Sequence, residues 1–213
     1  SRVHPKPTVW NWQQIDDFIT FSKKHNLQVR LHGPISPQAS KWVKEDHRTI
    51  EELETNMIEF TTAFAKKFNK EPTVKWMDVV NETILPNGKW FGPKKGTNKW
   101  ENPWLKIGLD DNGCPLYILK AFEIATKYAT NIKLVYNHNA GMESFMWDKV
   151  KETILYIRSK GYRVDGIGWQ AHIGLSASTK AILENTDEEL RKLSDLIDWA
   201  HKNNLEFHIT ELD

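Results

Sequence analysis

The 213-residue chain is 39% hydrophobic and 27% charged, with a formal net charge of +1. That length supports one sizeable core, so a single domain over residues 1–213 is expected. The near-neutral balance gives no field for nucleic acid or an anionic membrane surface. One cysteine, Cys114, excludes an intrachain disulfide, and no apolar run approaches the roughly 18 residues of a membrane-spanning helix. Ser1-Arg2-Val3-His4-Pro5 has no apolar stretch behind it, so no signal peptide is expected within the chain. Ten tryptophans are the compositional oddity. They supply core packing or flat faces for stacking on rings, including sugars.

Helical periodicity begins at Trp12, Ile15, Phe18 and Ile19, with Asn11 placed to cap it. A strand over 27–31, "LQVRL", follows. Thr49 and Glu52 form a capping box ahead of the stripe Ile50, Leu53, Met57, Phe60, Phe64 and Phe68. "VKWMDVV" (74–80) reads as the second strand. Pro115 suits the first turn of a helix reaching Ala129, and "IKLVY" (132–136) is the third strand. A helix from about Glu143 to Lys160 ends at Gly161, a C-terminal cap. "VDGIGWQ" (164–170) is the fourth strand, a second box from Thr186 to Glu189 opens the last helix, and "LEFHITEL" (205–212) is the fifth strand. About five strands alternating with five helices predict a parallel sheet wound one way, as in a (β/α) barrel.

Each strand runs apolar and then ends in polar residues. These are His32, Asn81-Glu82, Asn137-His138-Asn139, Gln170 with His172, and Glu211 with Asp213. Strand C-termini form the face on which such barrels carry active sites. Period two puts Val74, Trp76, Asp78, Val80 and Glu82 on one face of their strand. It likewise puts Leu205, Phe207, Ile209, Glu211 and Asp213 on one face of theirs. Gly166 and Gly168 leave room behind Gln170 and His172. Two glutamates at apolar strand ends are partly desolvated, which favours the protonated form unless partners compensate. Two carboxyls in different environments are the requirement of glycoside hydrolysis. Asn81 is placed to donate to a sugar 2-hydroxyl. His172 is placed to bond Glu211, with Asp213 orienting the histidine.

The plain alternatives are loop acids for Glu82 and Glu211, and histidines bonded to backbone carbonyls for His32 and His172. No histidines share an i, i+4 helical spacing or a His-x-His pattern, so no metal site is expected.

Five stretches, in order, resemble glycoside hydrolase family 10, the endo-β-1,4-xylanases. "DVVNETILPNG" (78–88) resembles its acid/base motif and "HITELD" (208–213) its nucleophile strand. "VDGIGWQAHI" (164–173) is similar to its Gln/His segment, "KLVYNHN" (133–139) to its Asn-rich strand end, and "WLKIGLD" (104–110) to the helix approach after the acid/base loop. The resemblance implies an α/β fold, a (β/α)8 TIM-type barrel that is incomplete in this chain, with the first and last units missing. It implies Glu82 as acid/base and Glu211 as nucleophile of a retaining mechanism, with His172, Asp213 and Asn81 in support. His32, Gln38, Asn137, Gln170, Trp90 and Trp104 are the expected substrate contacts. Xylan or a xylo-oligosaccharide is the implied substrate, with no cofactor, no nucleic-acid or membrane partner, a monomer when complete, and a secreted location.

Three departures from the pattern stand out. Ser36 and Pro37 occupy the place of a Trp-His-x-Gln run, with Gln38 near its glutamine. His138-Asn139 stands where Asp-Tyr is usual. The 83–113 segment is enlarged and carries Trp90, Trp100 and Trp104. The alternatives at this point are a non-catalytic carbohydrate-binding barrel and a relative acting on another β-1,4-linked polysaccharide.

Overall fold

The computed structural model describes residues 2–96, 100–172 and 186–212. Helix α1 (Gln13–Lys24) leads to strand β1 (Val29–Leu31), then a short α2 (Lys41–Lys44) and a long α3 (Ile50–Phe68). Strand β2 (Val74–Asn81) is followed by a 3-10 turn (Pro103–Ile107), α4 (Leu116–Tyr128), β3 (Lys133–His138) and α5 (Ser144–Ser159). β4 (Gly166–Ala171), α6 (Thr186–Lys202) and β5 (Glu206–Leu212) complete the described elements.

Local chemistry sets these boundaries. The Thr49 hydroxyl accepts the Glu52 N–H at 3.2 Å and the Glu52 carboxylate accepts the Thr49 N–H at 3.0 Å, so α3 starts on a complete capping box. Its stripe of Leu53, Met57, Phe60, Phe64 and Phe68 is buried. Each such side chain contributes about 1.5–3 kcal/mol on burial, so packing, not propensity, holds the helix. Truncating Leu53 to alanine is expected to cost about 2–5 kcal/mol. The start of α1 differs from the sequence expectation. Trp12, not Asn11, is the N-cap residue, and no side chain caps the helix. Ring packing holds that end instead: Trp12 stacks on Trp10 at 5.0 Å, and Lys67 lies 5.1 Å from the Trp12 ring centroid. Pro115 is the N-cap of α4 and not part of its first turn. The expected Thr186–Glu189 box lies outside the described side chains.

All four strand pairings are parallel and the spatial order is β1-β2-β3-β4-β5, the order of the chain. The sheet curls into an arc, an incomplete (β/α)8 barrel. Its concave side is spanned directly. Arg30 of β1 donates from Nη1 to the Thr210 carbonyl of β5 at 3.3 Å, and the Trp76 indole of β2 donates to Glu206 of β5 at 2.9 Å.

The strands are not regular throughout. β2 pairs Asp78 with Val135 and then Val80 with Tyr136, leaving Val79 as an extra residue. β5 pairs Ile209 with Trp169 and then Glu211 with Gln170, leaving Thr210 extra. This overturns both expected faces. Asp78 and Asn81 both meet partners on the concave side, although they are three residues apart. In β5, Glu206 and Thr210 reach the concave side, bonding Trp76 and Asn137, and His208 joins them by bonding Glu206. Leu205, Phe207 and Ile209 do not share that face; Ile209 is exposed. A period-two reading cannot anticipate an inserted residue.

Candidate active site

Glu82 follows β2 directly and is 6% exposed. Its φ of +52° is left-handed, a conformation uncommon for a residue with a side chain. That backbone turn brings its side chain in beside Asn81. Oε1 accepts from Asn81 Nδ2 and from Gln170 Nε2, each at 3.1 Å. Oε2 is buried and has no hydrogen-bond partner among the described residues. Burial pushes the Glu82 carboxyl above the usual range, and the charge of Glu211 pushes it further. The bonds from Gln170 and Asn81 and the nearby His32 oppose this only in part.

Glu211 has a different setting. Its side chain is 38% exposed, and Oε2 lies 3.2 Å from His172 Nε2. The same His172 nitrogen lies 3.1 Å from Gln170 Oε1. Gln170 therefore stands between the two acids. Its amide nitrogen donates to Glu82, and its oxygen meets the histidine that contacts Glu211.

A chain of amides fixes this arrangement. The Thr210 hydroxyl donates to Asn137 Oδ1 at 2.8 Å, and Asn137 Nδ2 donates to Asn81 Oδ1 at 2.9 Å. Gln170 Nε2 also donates to Asn81 Oδ1, at 2.8 Å. With its oxygen so occupied, Asn81 has its Nδ2 turned to Glu82. Asn81 and Asn137 are fully buried and Gln170 nearly so. Glycine is required beside them: a Cβ on Gly168 would lie 2.3 Å from Asn137 Oδ1 and 2.7 Å from Thr210 Cγ2.

His32 sits at the end of β1, its Nδ1 3.1 Å from Asp78 Oδ2. Its hydrogen bond to Asp78 raises the imidazole above its ordinary value despite burial. Asp78 also takes both nitrogens of an Arg30 fork, Nε at 3.0 Å and Nη2. The neighbouring Gly33 has no room for a side chain, since a Cβ there would collide with the Asp78 carbonyl at 1.7 Å.

The loop after Glu82 is pinned to the end of β3. Glu82 N–H donates to the Asn137 carbonyl at 3.2 Å, and Thr83 bonds the Tyr136 hydroxyl. Ile84 N–H donates to His138 Nε2 at 3.1 Å, so Nδ1 carries the proton and donates to the Asn139 carbonyl at 3.1 Å. Full burial pushes the His138 imidazole down to about 4, which keeps it neutral.

The other expected contacts are placed as follows. Gln38 is exposed and lines a cleft with His32 and Ser36. Asn137 is fully buried, and its amide nitrogen donates to Asn81. Trp104 is 1% exposed, and its indole donates to the Ser36 carbonyl at 3.2 Å, so it braces the 33–38 loop and offers no open ring face. Trp90 is half-buried and its backbone bridges to Ile84 in the loop after Glu82. Its indole donates to the Gly113 carbonyl at 2.9 Å and Lys149 stands 5.3 Å from its ring centroid. Trp100 is 46% exposed. Asp213 lies outside the described residues. No group of three or more potential metal ligands occurs among the described residues.

The sequence reading missed Arg30, Asp78 and Thr210. A signal existed for the first two: opposite charges in the middle of two otherwise apolar strands, "VRL" and "WMDVV", call for each other. For Thr210 the signal was the parity of Glu206, His208 and Thr210, a polar set alternating with apolar residues.

Comparison with known proteins agrees with this picture. The profile of glycosyl hydrolase family 10 matches residues 1–213. The chain is 29% identical over 219 residues to endo-1,4-beta-xylanase A of Caldicellulosiruptor saccharolyticus, covering all of this chain and 57% of that protein. A structure solved in complex with xylotriose is 28% identical, with a TM-score of 0.74, over 100% of this chain and 59% of that one. Endo-1,4-beta-xylanase XylE of Penicillium canescens shares the fold at 23% identity and a TM-score of 0.77, over 99% and 58%. The chain thus spans only about half the length of such relatives, and 17% of the xylanase A of Thermoanaerobacterium saccharolyticum. With the profile matching from end to end, the chain belongs to glycosyl hydrolase family 10.

Proposed function

We propose that this chain carries the catalytic centre of an endo-acting, retaining glycoside hydrolase that cleaves β-1,4-xylosidic bonds in xylan. The observation that carries the reading is the asymmetry of its two glutamates. Glu82 is buried with its carboxyl raised, while Glu211 is more exposed and engaged by His172. One environment favours an acid and the other a nucleophile. The relatives' names and the xylotriose complex support xylan as the substrate class.

In the first step a Glu211 carboxylate oxygen attacks the anomeric carbon and the bond to the leaving sugar breaks. Glu82 gives its proton to the leaving oxygen, and we assign that proton to Oε2, the oxygen not engaged by an amide. In the second step the Glu82 carboxylate takes a proton from water. The water oxygen attacks the same carbon and releases Glu211. Asn81 Nδ2 is the donor to the sugar 2-hydroxyl, exchanging its bond to Glu82 for one to substrate. His172, with Asp213, steadies Glu211. Retention requires a carboxyl separation of roughly 5–5.5 Å. Asn137 supports Asn81, and Trp90 and Trp104 support loops. A polymeric substrate favours action outside the cell, and a monomer when complete is carried over from the family resemblance alone.

Mass spectrometry after reaction with a 2-fluoro xyloside tests the mechanism. The covalent sugar is expected on the peptide carrying Glu211; inversion of product configuration would refute retention. Glu82→Gln is expected to abolish xylan cleavage while sparing the glycosylation step with a nitrophenyl leaving group. Equal loss on both substrates removes the acid role. Binding to insoluble xylan without release of reducing sugar would favour a non-catalytic carbohydrate-binding barrel instead.

A further inference from the structure

We infer that His138 is a positioning residue for the proposed general acid: by accepting the Ile84 N–H it holds shut the turn on which Glu82 sits. The inference rests on the function proposed above and adds a fully buried residue to its machinery.

Three successive residues of the loop after β2 are bonded to three successive residues of β3. Glu82 N–H donates to the Asn137 carbonyl at 3.2 Å, Thr83 bonds the Tyr136 hydroxyl, and Ile84 N–H donates to His138 Nε2 at 3.1 Å. In the third bond a strand side chain takes a backbone N–H of the loop. Ile84 and His138 are both buried, so water offers that N–H no ready substitute. Beyond Ile84 the chain turns back on itself. Ile84 bridges to Trp90, and Phe91 N–H donates to the Thr83 carbonyl at 2.8 Å. The left-handed backbone of Glu82 stands at the head of this turn. Such a conformation persists only where its surroundings over-determine it, and the three bonds to β3 supply that constraint.

The His138 ring is fixed on its other side as well. Nδ1–H donates to the Asn139 carbonyl at 3.1 Å, and Trp147 meets the ring edge-on, 6.0 Å between centroids. Two indoles hold the turn that carries Asn139: Trp147 donates to the Gly141 carbonyl at 2.8 Å, and Trp169 of β4 donates to the Ala140 carbonyl at 2.9 Å. The groups that meet the ring are thus an N–H, a carbonyl and an indole, all neutral. Nε2 keeps its lone pair for Ile84. His138 stands where the family pattern has aspartate, and a neutral acceptor adds no third negative charge to a site that already holds Glu82 and Glu211.

The route to the acid runs through water. Burial is the chief reason the Glu82 carboxyl lies above its usual range. Gln170, Asn81 and the charge of His32 act against it, and the charge of Glu211 acts with it. Without an acceptor, the buried Ile84 N–H favours an opened turn in which it is hydrated. Water admitted beside Glu82 weakens the desolvation that keeps its carboxyl protonated. A displaced turn also carries the proton away from the leaving oxygen. Both effects fall on leaving groups that need a proton and spare those that depart as stable anions.

The kcat/KM of the full chain on two aryl xylobiosides tests this, because it reports the glycosylation step. Dinitrophenolate leaves without a proton, whereas unsubstituted phenolate gains from one. His138→Leu removes the acceptor. It is expected to cost about 30-fold on the phenyl substrate and under about threefold on the dinitrophenyl one, within the roughly 100-fold that a misplacement of about 1 Å can cost. The basic limb of its pH profile on the phenyl substrate should move to lower pH, as the limb of a rehydrated acid does. His138→Gln returns an amide oxygen to Ile84, so its leaving-group ratio should stay within about threefold of the unaltered chain and its basic limb should not move. In the unaltered chain, nitrogen NMR of labelled histidines should show His138 as the Nδ1–H tautomer. The Nε2–H tautomer would overturn the inference without recourse to any variant, since a protonated Nε2 cannot accept. Equal losses on both substrates in His138→Leu, or a basic limb that does not move, would leave His138 a merely structural role. His138→Gln as impaired as His138→Leu would remove the acceptor account. In all these cases the proposed function stands so long as Glu82→Gln still separates the two substrates. A Glu82→Gln protein that loses both equally overturns the acid role of Glu82 and the inference with it.

Discussion

Adding one methyl group at Gly168 should damage both the stability of the fold and the candidate site. The new Cβ would stand 2.3 Å from Asn137 Oδ1 and 2.7 Å from Thr210 Cγ2, against the roughly 3.5–4.0 Å of ordinary contact. Neither neighbour moves freely. They are bonded to each other at 2.8 Å, and Asn137 is bonded to Asn81 at 2.9 Å. Overpacking costs about 1–3 kcal/mol, and one buried hydrogen bond left unmade costs about 1–3 kcal/mol. A middle value of about 3 kcal/mol lowers Tm by roughly 6–12 °C in a chain of this size. Displacing Asn81 by about 1 Å should reduce xylan turnover on the order of 100-fold. Differential scanning calorimetry and initial-rate measurements on Gly168→Ala read both. The double variant Gly168→Ala/Asn137→Ala supplies the control, because removing Asn137 removes the nearest atom of the clash. It should lose less than the sum of the two single losses, because only the 2.7 Å contact with Thr210 Cγ2 then remains. Full additivity of the two losses, or a Gly168→Ala protein within 1 °C and twofold of the unaltered one, would refute the packing account.

Three further outcomes follow from the site. Thr210→Val keeps the shape but removes the donor to Asn137, so kcat/KM on xylan should fall about tenfold while Thr210→Ser stays within about threefold; equal losses would deny the hydroxyl a positioning role. Glu82→Gln should raise Tm at pH 7, because a carboxyl raised in the folded state costs stability once pH exceeds its folded value. That gain should vanish near pH 4, where the unfolded chain is protonated too; a constant gain at every pH would show that charge is not its source. His138 works in the opposite sense. Unfolded, it takes a proton near 6.5, but folded only near 4, so roughly 3 kcal/mol of stability present above pH 6.5 is lost as pH falls to 4. Urea unfolding across that range should show this slope in the unaltered chain and not in His138→Gln, even though the variant starts less stable.

Much of this site was legible in the residues, because its parts obey rules that act locally. Thr49 and Glu52 announce the start of α3, and the stripe from Leu53 to Phe68 announces which face is buried. The polar residues ending β2, β3, β4 and β5 converge because parallel strands wound in chain order end on one rim. The side chains that hold those groups in place were harder to read. Val79 and Thr210 each insert one residue into a strand, and an insertion reverses the parity of everything after it. The two tryptophans expected at the sugar are oriented by a related constraint. Trp104 and Trp90 each carry an N–H that needs an acceptor, and the loop carbonyls of Ser36 and Gly113 supplied it. Composition shows that the rings exist, and only the loop conformation shows which way they face.

The left-handed backbone at Glu82 bears on how such a protein changes over generations. Holding a side-chain-bearing residue at φ +52° costs roughly 1–3 kcal/mol, and the same residue is a carboxyl drawn out of water. Asparagine and glycine tolerate that backbone better and carry no charge. Once selection for bond cleavage relaxes, drift at this one position runs downhill in free energy. Asn81, Gln170 and His172 remain to meet a sugar after such a change. On the proposed function, a barrel that holds xylan without cutting it then lies a single stabilising substitution from the proposed hydrolase.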